Sequence, residues 1–394
     1  GGAQLTVRDL AEMRSKAGLP GAPATVASSL GPSSSLSESE ASRQRQAGEL
    51  SALQQLHVRV VARVRPRNKA EQARGWADCV RVLEPNELEL VPTPEFATVK
   101  DPGSKDGLKK QRVAAASYSE EARRELAALH KANGSHQRFT FDRCLGPGAS
   151  QEECFACAAA PVVDAVLHGI NATIFAYGQT SSGKTYTMEG PDVRDASSKG
   201  IIPRAADAVF RQVRESEAHV GSLGIETEVR ASYVEIYREK IRDLLVPAKS
   251  REAAEAQNLP VREDPKRGVY IEGAVESACL TEQDLLSLLE RGARERAVAA
   301  TEMNAGSSRS HAVLVVNVGR KNRREGLVRQ ARLVLVDLAG SESVRKTGAS
   351  GTQLKEAQTI NKSLSALGLV INALAAGASG ASGGGGGGGG GGSE

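Results

Sequence analysis

The segment from Gly178 to Thr185 constrains this chain most, because its sequence, GQTSSGKT, fits the pattern G-x-x-x-x-G-K-[ST]. The apolar, β-rich run at 172–177 comes directly before it and predicts a buried strand. Neither Pro nor Gly occurs between Lys184 and Gly190, so a helix is predicted to begin near Lys184. A strand, a glycine loop and a helix start in this order form the context in which the pattern binds phosphate. The sequence therefore predicts a site for a nucleoside triphosphate.

The eight residues of this loop share one expected role, and two of them have a further one. All of them are expected to surround the phosphates: Gly178, Gln179, Thr180, Ser181, Ser182, Gly183, Lys184 and Thr185. The glycines let backbone N–H groups turn towards anionic oxygens, and the start of the helix adds its partial positive charge. Lys184 is expected to reach the outer phosphates, and the Thr185 hydroxyl is expected to bind Mg²⁺. The alternative, a Gly/Ser-rich turn with an accidental lysine, is disfavoured by the strand before it.

Composition excludes several classes of protein. The 51 Lys and Arg against 47 Asp and Glu give a net charge of +4, which is too small to indicate a nucleic-acid partner. The sequence has no signal peptide and no apolar run near eighteen residues, so we expect neither secretion nor membrane insertion. Its five cysteines include a C-x-x-C at 154–157 without a second pair, which favours free thiols over a metal or redox site. The chain begins with glycine rather than methionine, which indicates a fragment.

Strands alternate with helices between residues 57 and 376. Predicted strands lie at 57–66, 79–91 (a hairpin turning at Pro85-Asn86), 139–141, 172–177, 229–237, 312–318 and 333–336, and predicted helices at 151–168, 281–299 and 351–376. This alternation predicts a three-layer α/β domain over 57–376, in which helices flank a central, mostly parallel sheet.

Three segments differ from this pattern. Residues 1–50 are rich in Ser, Ala, Gly and Pro and contain no aromatic residue, so we expect them to be mostly disordered. A basic insert at about 96–138 is either a solvated loop or a contact for a polyanion. Residues 377–394 are dominated by glycine and predict a flexible loop or linker.

Two later motifs supply groups that a phosphate loop lacks. The motif DLAGSE at 337–342 follows the buried run at 333–336, which places Asp337 at a strand end where a Mg²⁺-bound water needs an anchor. Gly340 permits its N–H to approach a terminal phosphate closely. The motif NAGSSRSH at 304–311 offers three hydroxyls and one guanidinium, which suits a loop that closes over phosphate and metal. An ordinary polar loop is the alternative for the second motif.

These motifs, in this order, resemble the three nucleotide-sensing elements of the kinesin motor domain. The residues RVRP at 63–66 are similar to the adenine-side motif of that family, and 344–374 resembles its relay helix and the loop before it. The resemblance covers about 57–376 and is greatest to the conventional, plus-end-directed branch. It implies a P-loop NTPase fold, with ATP and Mg²⁺ as cofactors and microtubules as the partner.

The resemblance also implies roles for single residues. Arg63 and Pro66 would hold the adenine, and Tyr186 would stack on it. Three residues would bind Mg²⁺, the first two directly and the third through water: Thr185, Ser310 and Asp337.

The remaining roles concern hydrolysis and its control. Ser308, Gly340 and Glu342 would position the attacking water and relay its proton. Arg309 and Glu342 would form an ion pair that closes the two loops when a terminal phosphate draws them together. Residues 343–350 join Glu342 to the helix at 351–376, so a shift at Gly340 would move that helix.

In the family, this helix and the loop before it lie on the microtubule. Their basic residues suit the acidic surface of tubulin: Arg345, Lys346, Lys355 and Lys362. A second segment, which resembles another tubulin-facing loop of the family, adds Arg262, Lys266 and Arg267. We expect this attraction to depend on salt, and we expect the 96–138 insert to add a contact. Ser343 stands where the family usually has lysine, which removes one contact.

The family continues after residue 376 with segments that this sequence does not show. Either the protein continues beyond residue 394 or it is a degenerate, non-motile kinesin. The predicted function is a microtubule-stimulated ATPase motor of the cytoplasm and cytoskeleton, with a homodimer formed through regions absent from this chain. The alternative is a structural microtubule component, for example of an axoneme, with little motility. A GTP-using switch is disfavoured because no N-K-x-D-like motif follows the last strand.

Overall fold

The structure is a computed structural model, and the residues that it describes are 58–73, 78–90, 137–218, 225–246, 258–265, 267–302, 307–322, 326–342 and 362–374. The predicted N-terminal extension, nearly all of the basic insert and the glycine-rich segment lie outside these residues. Contacts divide the chain into two compact units, Val60–Ala149 and the combination of Gly1–Arg59 with Ser150–Glu394. The predicted domain boundaries at 57 and 376 stay a prediction.

The described residues form strands and helices in an alternating order. The strands are β1 (Val61–Arg63), β2 (Val80–Glu84), β3 (Glu87–Leu90), β4 (Gln137–Thr140), β5 (Arg143–Leu145), β6 (Ala172–Ala176), β7 (Ile225–Tyr237), β8 (Lys240–Asp243), β9 (Val261–Asp264), β10 (Gly268–Ile271), β11 (Ser277–Cys279), β12 (His311–Asn322) and β13 (Leu327–Asp337). The helices are α1 (Lys69–Ala73), α2 (Gln151–Ala158), α3 (Ala160–Leu167), α4 (Lys184–Met188), α5 (Ile201–Ala218), α6 (Glu282–Glu302) and α7 (residues 362–374). Among these helices none is both long and apolar enough to span a bilayer.

The large sheet has the strand order β11-β7-β12-β13-β6. β8 also pairs with β7, along residues 234–237 and beyond the part that pairs with β11. Only the β6–β13 pair of this sheet is parallel among the described strands, so the prediction of a mostly parallel sheet is wrong for them. Two of its antiparallel pairs, β7–β8 and β12–β13, join strands that follow each other in the chain after a short connection. Arg238 and Glu239 link β7 to β8, and both have positive φ, as a two-residue hairpin turn with the twist of the sheet requires.

The core of the larger unit is formed by the long strands β7, β12 and β13 and by the helices packed against this sheet. Alternate residues of β12 are buried, as period-two strand geometry dictates. The four leucines of α6, at 285, 286, 288 and 289, are buried, and α6 packs against β7 and α5. Each such leucine stabilises the fold by roughly 1.5–3 kcal/mol. Gly292 brings α6 close to the sheet, because a Cβ there would lie 2.1 Å from Cδ1 of Tyr233.

The predicted helix at 151–168 is two helices, α2 and α3, which meet at Ala159. Pro161 lies in the first turn of α3, where its missing N–H costs nothing, but inside one continuous helix its ring would clash with the preceding turn. Ser150 and Glu153 form the capping box that begins α2, with Ser150 Oγ 3.0 Å from Glu153 N.

The predicted relay helix is described only over α7, and residues 351–361 lie outside the described part. Leu364 and Ile371, seven positions apart, are buried, whereas Leu369, Val370 and Leu374 are exposed. The buried side of the described part of α7 is therefore a narrow apolar stripe.

The unit Val60–Ala149 contains two small sheets. β1 pairs in parallel with β5, and β2, β3 and β4 form an antiparallel sheet. The predicted hairpin at Pro85-Asn86 is confirmed, since β2 ends at Glu84 and β3 begins at Glu87. Its core includes Leu88 and Phe139.

Candidate functional site

The phosphate loop lies between β6 and α4, so the predicted strand, loop and helix start are confirmed. Gly183 caps the helix with a φ of 96°, a conformation that favours glycine. Ser181 also has a positive φ, 63°, which strains a residue with a side chain. A Cβ on Gly178 would lie 2.5 Å from Ser182 Oγ, so a side chain at Gly178 would have to displace that hydroxyl.

Lys184 folds over the loop from the first turn of α4. Its Nζ donates hydrogen bonds to the carbonyl oxygens of Gly178 at 2.9 Å and Gln179 at 3.1 Å. Partial burial lowers the pKa of Lys184, and the carboxylates of Asp337 and Glu342 oppose this shift. Burial therefore outweighs the two carboxylates that favour the charge of the ammonium group.

Asp337 stands at the end of β13, next to Ala176 at the end of β6, and is 2 % exposed. Its Oδ2 accepts hydrogen bonds from Thr185 Oγ1 at 2.7 Å and from Arg296 Nη1 at 3.2 Å. Among the described residues, Oδ1 has no hydrogen-bond donor although it is buried. A buried carboxylate oxygen without a donor costs free energy, and Mg²⁺ or its water would compensate that cost. The predicted metal residues Thr185 and Asp337 therefore fit a cation.

Arg296 of α6 is a buried residue of the site that the motif analysis missed. Its side chain is 7 % exposed and joins both later motifs, because Nη2 donates to the carbonyl of Ser310 at 3.1 Å while Nη1 binds Asp337. Ser310, the third predicted metal residue, is buried. The signal for Arg296 was its place on the stripe of Leu285, Leu289 and Gly292, where helical spacing predicts burial.

The three nucleotide motifs touch at Gly340. Its N–H donates to the carbonyl of Ser308 at 2.7 Å, and the N–H of Ser341 donates to the carbonyl of Gly178 at 3.1 Å. A Cβ on Gly340 would lie 2.2 Å from Glu342 Oε2 and 2.5 Å from Thr180 Oγ1. A side chain at residue 340 would therefore displace Glu342 and Thr180 from each other.

Glu342 binds Thr180 of the phosphate loop. Its pair with Arg309, predicted for the state in which a terminal phosphate draws the two loops together, stays a prediction. The oxygens of Glu342 accept from Thr180 N at 2.9 Å and Thr180 Oγ1 at 2.5 Å. Two donors on one residue satisfy both oxygens, which explains why the carboxylate lies there. Burial alone would raise the pKa of Glu342, but the hydrogen bonds from Thr180 outweigh it, so the pKa is lowered. Arg309 ends a short 3₁₀ turn at Ser307–Arg309.

The predicted adenine residues are divided between the two units. Tyr186 lies in α4 and its ring is half exposed, while its carbonyl accepts from Gln151 Nε2 at 2.7 Å. Arg63 and Pro66 belong to the unit Val60–Ala149, in which Arg63 Nη2 lies 3.4 Å from the carbonyl of Ala149. The adenine site stays a prediction.

His311, the last residue of the NAGSSRSH motif, connects two segments through its imidazole. Nδ1 accepts from the N–H of Ala339 at 3.0 Å, and Nε2 lies 2.8 Å from Ser363 Oγ. Burial, helped by the charge of Arg296, lowers the pKa of His311 to about 4. Sequence reasoning gave this residue no role, although an imidazole at the start of an apolar strand was a visible signal.

Comparison with known proteins agrees with these motifs. The family model described as kinesin motor domain matches residues 63–382. The kinesin heavy chain of Neurospora crassa is 48 % identical over 239 residues, which cover 61 % of this chain and 24 % of that protein. Kinesin-related protein 3 of Dictyostelium discoideum is 39 % identical over 322 residues, which cover 81 % of this chain and 23 % of that protein. The chain thus spans about a quarter of the length of the curated relatives that it matches.

A solved structure agrees as well. The structure of a fast kinesin, reported for its ATPase mechanism and interactions with microtubules, superposes with a TM-score of 0.63 at 39 % identity. The match covers 80 % of this chain and 75 % of that one. Sequence and fold therefore point to one family.

Proposed function

Because the chain belongs to the kinesin motor domain family, we propose that it hydrolyses ATP with Mg²⁺ and couples hydrolysis to movement on microtubules. The observation that carries this proposal is the junction at Gly340, where all three nucleotide motifs meet. A group bound to the phosphate loop would act on both other motifs through Ser308 and Glu342.

The phosphate loop, 178–185, would hold the triphosphate, and Lys184 would exchange two neutral carbonyls for charged phosphate oxygens, which accept more strongly. Thr185 and Ser310 would hold Mg²⁺ directly, and Asp337 would hold it through a water molecule. That water would donate to Asp337 Oδ1, which has no donor among the described residues. The cation would neutralise charge on the phosphates. Tyr186, Arg63 and Pro66 would hold the adenine.

Hydrolysis would depend on positioning more than on covalent chemistry. Glu342, whose lowered pKa keeps it ionised, would orient the attacking water with Ser308 and Gly340 and accept its proton. In the closed arrangement Glu342 would leave Thr180 for Arg309. This exchange of partners would make the junction a switch between two nucleotide states.

The proposed track contact uses exposed basic residues. Lys362 of α7 and Arg262 and Arg267 of the β9–β10 hairpin are more than half exposed. Arg262 and Arg267 already pair with Glu272 and Glu276, so tubulin would compete with these carboxylates, and binding would weaken as salt rises. The insert at 96–138 would add a contact, and a deletion of 98–136 that leaves affinity unchanged at low and moderate salt would rule this out. The cellular site would be the microtubule cytoskeleton of the cytoplasm, and dimers would form through segments outside this chain.

Steady-state ATPase measurements with and without microtubules test this function. We expect stimulation to turnover within ~1–100 s⁻¹, and we expect Glu342→Ala to abolish it while fluorescent ATP still binds. The control is Glu290→Ala, which removes an exposed carboxylate of α6 that pairs with Arg194. Near-zero turnover together with tight microtubule binding would instead support the structural, axonemal alternative.

A further inference from the structure

We infer that His311 is a positioning residue that carries movement of the segment after β13 to α7, by joining Ala339 to Ser363 through the two nitrogens of one imidazole. This inference rests on the proposed function, because it concerns how the nucleotide state reaches α7. It assigns a route through space, whereas the route along the chain runs through residues 343–361.

The hydrogen bonds define one tautomer of the imidazole. The backbone N–H of Ala339 can only donate, so Nδ1 must accept and carries no proton. The proton of the neutral ring is therefore on Nε2, and it is directed at Ser363 Oγ 2.8 Å away. Reversing either bond would leave a buried donor facing a donor, so the ring has one arrangement in which both contacts form.

Burial makes these contacts specific. His311 is 7 % exposed and Ala339 is fully buried, so water does not compete for the bond between them, while Ser363 is half-buried. A buried backbone N–H that loses its acceptor destabilises the structure, because no water replaces the lost bond. The imidazole is therefore expected to follow Ala339 when that peptide moves.

Ala339 is placed to report on the nucleotide. The next residue, Gly340, donates its N–H to Ser308 and lies against Glu342 and Thr180. A displacement of Gly340 towards a terminal phosphate would also displace the Ala339 peptide. The rigid ring would pass that displacement to Ser363 at the start of the described part of α7.

Two substitutions separate the bonds. In His311→Asn the amide oxygen takes the place of Nδ1 and keeps the acceptor for Ala339, but the shorter side chain cannot reach Ser363. Ser363→Ala removes the acceptor for Nε2 and leaves the imidazole intact. Asn372→Ala, an exposed change on the same helix, is the control.

The experiment measures hydrogen exchange of peptides covering 362–374 in the full chain, with ADP and with a non-hydrolysable ATP analogue. We expect a several-fold difference in exchange between the nucleotides in the unmodified protein and in Asn372→Ala. The difference should fall at least threefold in His311→Asn and in Ser363→Ala. In the double variant the difference should fall no further than in either single variant. Nucleotide affinity should stay within about threefold of the unmodified protein.

Three outcomes would overturn the inference. The first is an unchanged exchange difference in both variants, and the second is a double variant whose loss is the sum of the single losses. The third is an unmodified protein that binds and hydrolyses ATP without any difference at 362–374, which would leave the proposed function standing. A chain that neither binds nor hydrolyses ATP would overturn both the function and the inference.

Discussion

Replacing Arg296 by methionine is the sharpest test of how the site is held together. Methionine keeps an unbranched apolar stem, so the packing of α6 is largely retained. The change removes the charge that contacts Asp337 Oδ2 at 3.2 Å and the donor that binds the Ser310 carbonyl at 3.1 Å. Asp337 would then keep its charge in a buried place with Thr185 as its remaining described donor.

The expected cost follows from this burial. Breaking a buried ion pair by removing one partner costs about 3–5 kcal/mol, because the other charge stays uncompensated. The matched control is Arg194→Met, which breaks a pair with Glu290 at 2.6 Å on the surface. Exposed pairs contribute about 0–1 kcal/mol, since water already solvates both charges. The two arginine variants should therefore differ by at least ~2 kcal/mol in free energy of unfolding.

Urea unfolding followed by circular dichroism measures this difference, with equal slopes showing that the same surface is exposed. The double variant Arg296→Met with Asp337→Asn removes both charges. Its loss in free energy of unfolding should be smaller, by about 1–3 kcal/mol, than the sum of the losses in the two single variants. The reasoning would be refuted if Arg296→Met cost no more than Arg194→Met. Additive effects in the double variant would show that the two side chains do not stabilise each other.

Three further predictions concern the site and the thiols. Asp337→Asn should weaken binding of fluorescent ATP at least ~10-fold in Mg²⁺ and much less in EDTA, because it removes a carboxylate that we propose anchors the metal. Gly340→Ala should lower kcat by about 10²-fold, because the new Cβ would meet Glu342 Oε2 and a shift of about 1 Å in a positioning group has an effect of this size. A kcat within threefold of the unmodified protein would contradict this. Burial raises the pKa of Cys144 to about 11, so its thiol stays protonated at pH 8 and should resist iodoacetamide until urea unfolds the protein. Cys79 is exposed and should react at once. Mass spectrometry of the alkylated peptides measures both reactions.

Local patterns predicted the parts of the fold that depend on neighbouring residues. The glycine loop, the start of α4 at Lys184 and the hairpin at Pro85-Asn86 follow from turn chemistry within a few residues. The break at Ala159 was also visible, since Pro161 marks a helix start. Strand direction was not predictable in this way, because an apolar run such as 333–336 has the same pattern in parallel and antiparallel sheets.

The missed residues depend on tertiary contacts. Arg296 and Asp337 are 41 positions apart, and His311 and Ser363 are 52 apart. No motif spacing encodes these contacts, because they arise when α6 and α7 pack near the ends of β12 and β13. Thr180 was not predicted as a partner of Glu342 for a similar reason, since it lies 162 positions away along the chain.

The connectivity of the large sheet has a consequence for the order of folding. β12 and β13 are joined by a short connection and pair along eleven positions, so their contacts close a small loop and are expected to form early. The β6–β13 pairing and the Thr185–Asp337 hydrogen bond, which spans 152 positions, need most of the chain to be in place. Nascent or partly folded chains would therefore contain the β-hairpin well before they contain a nucleotide pocket. Capture on immobilised ATP should accordingly select molecules that have finished folding.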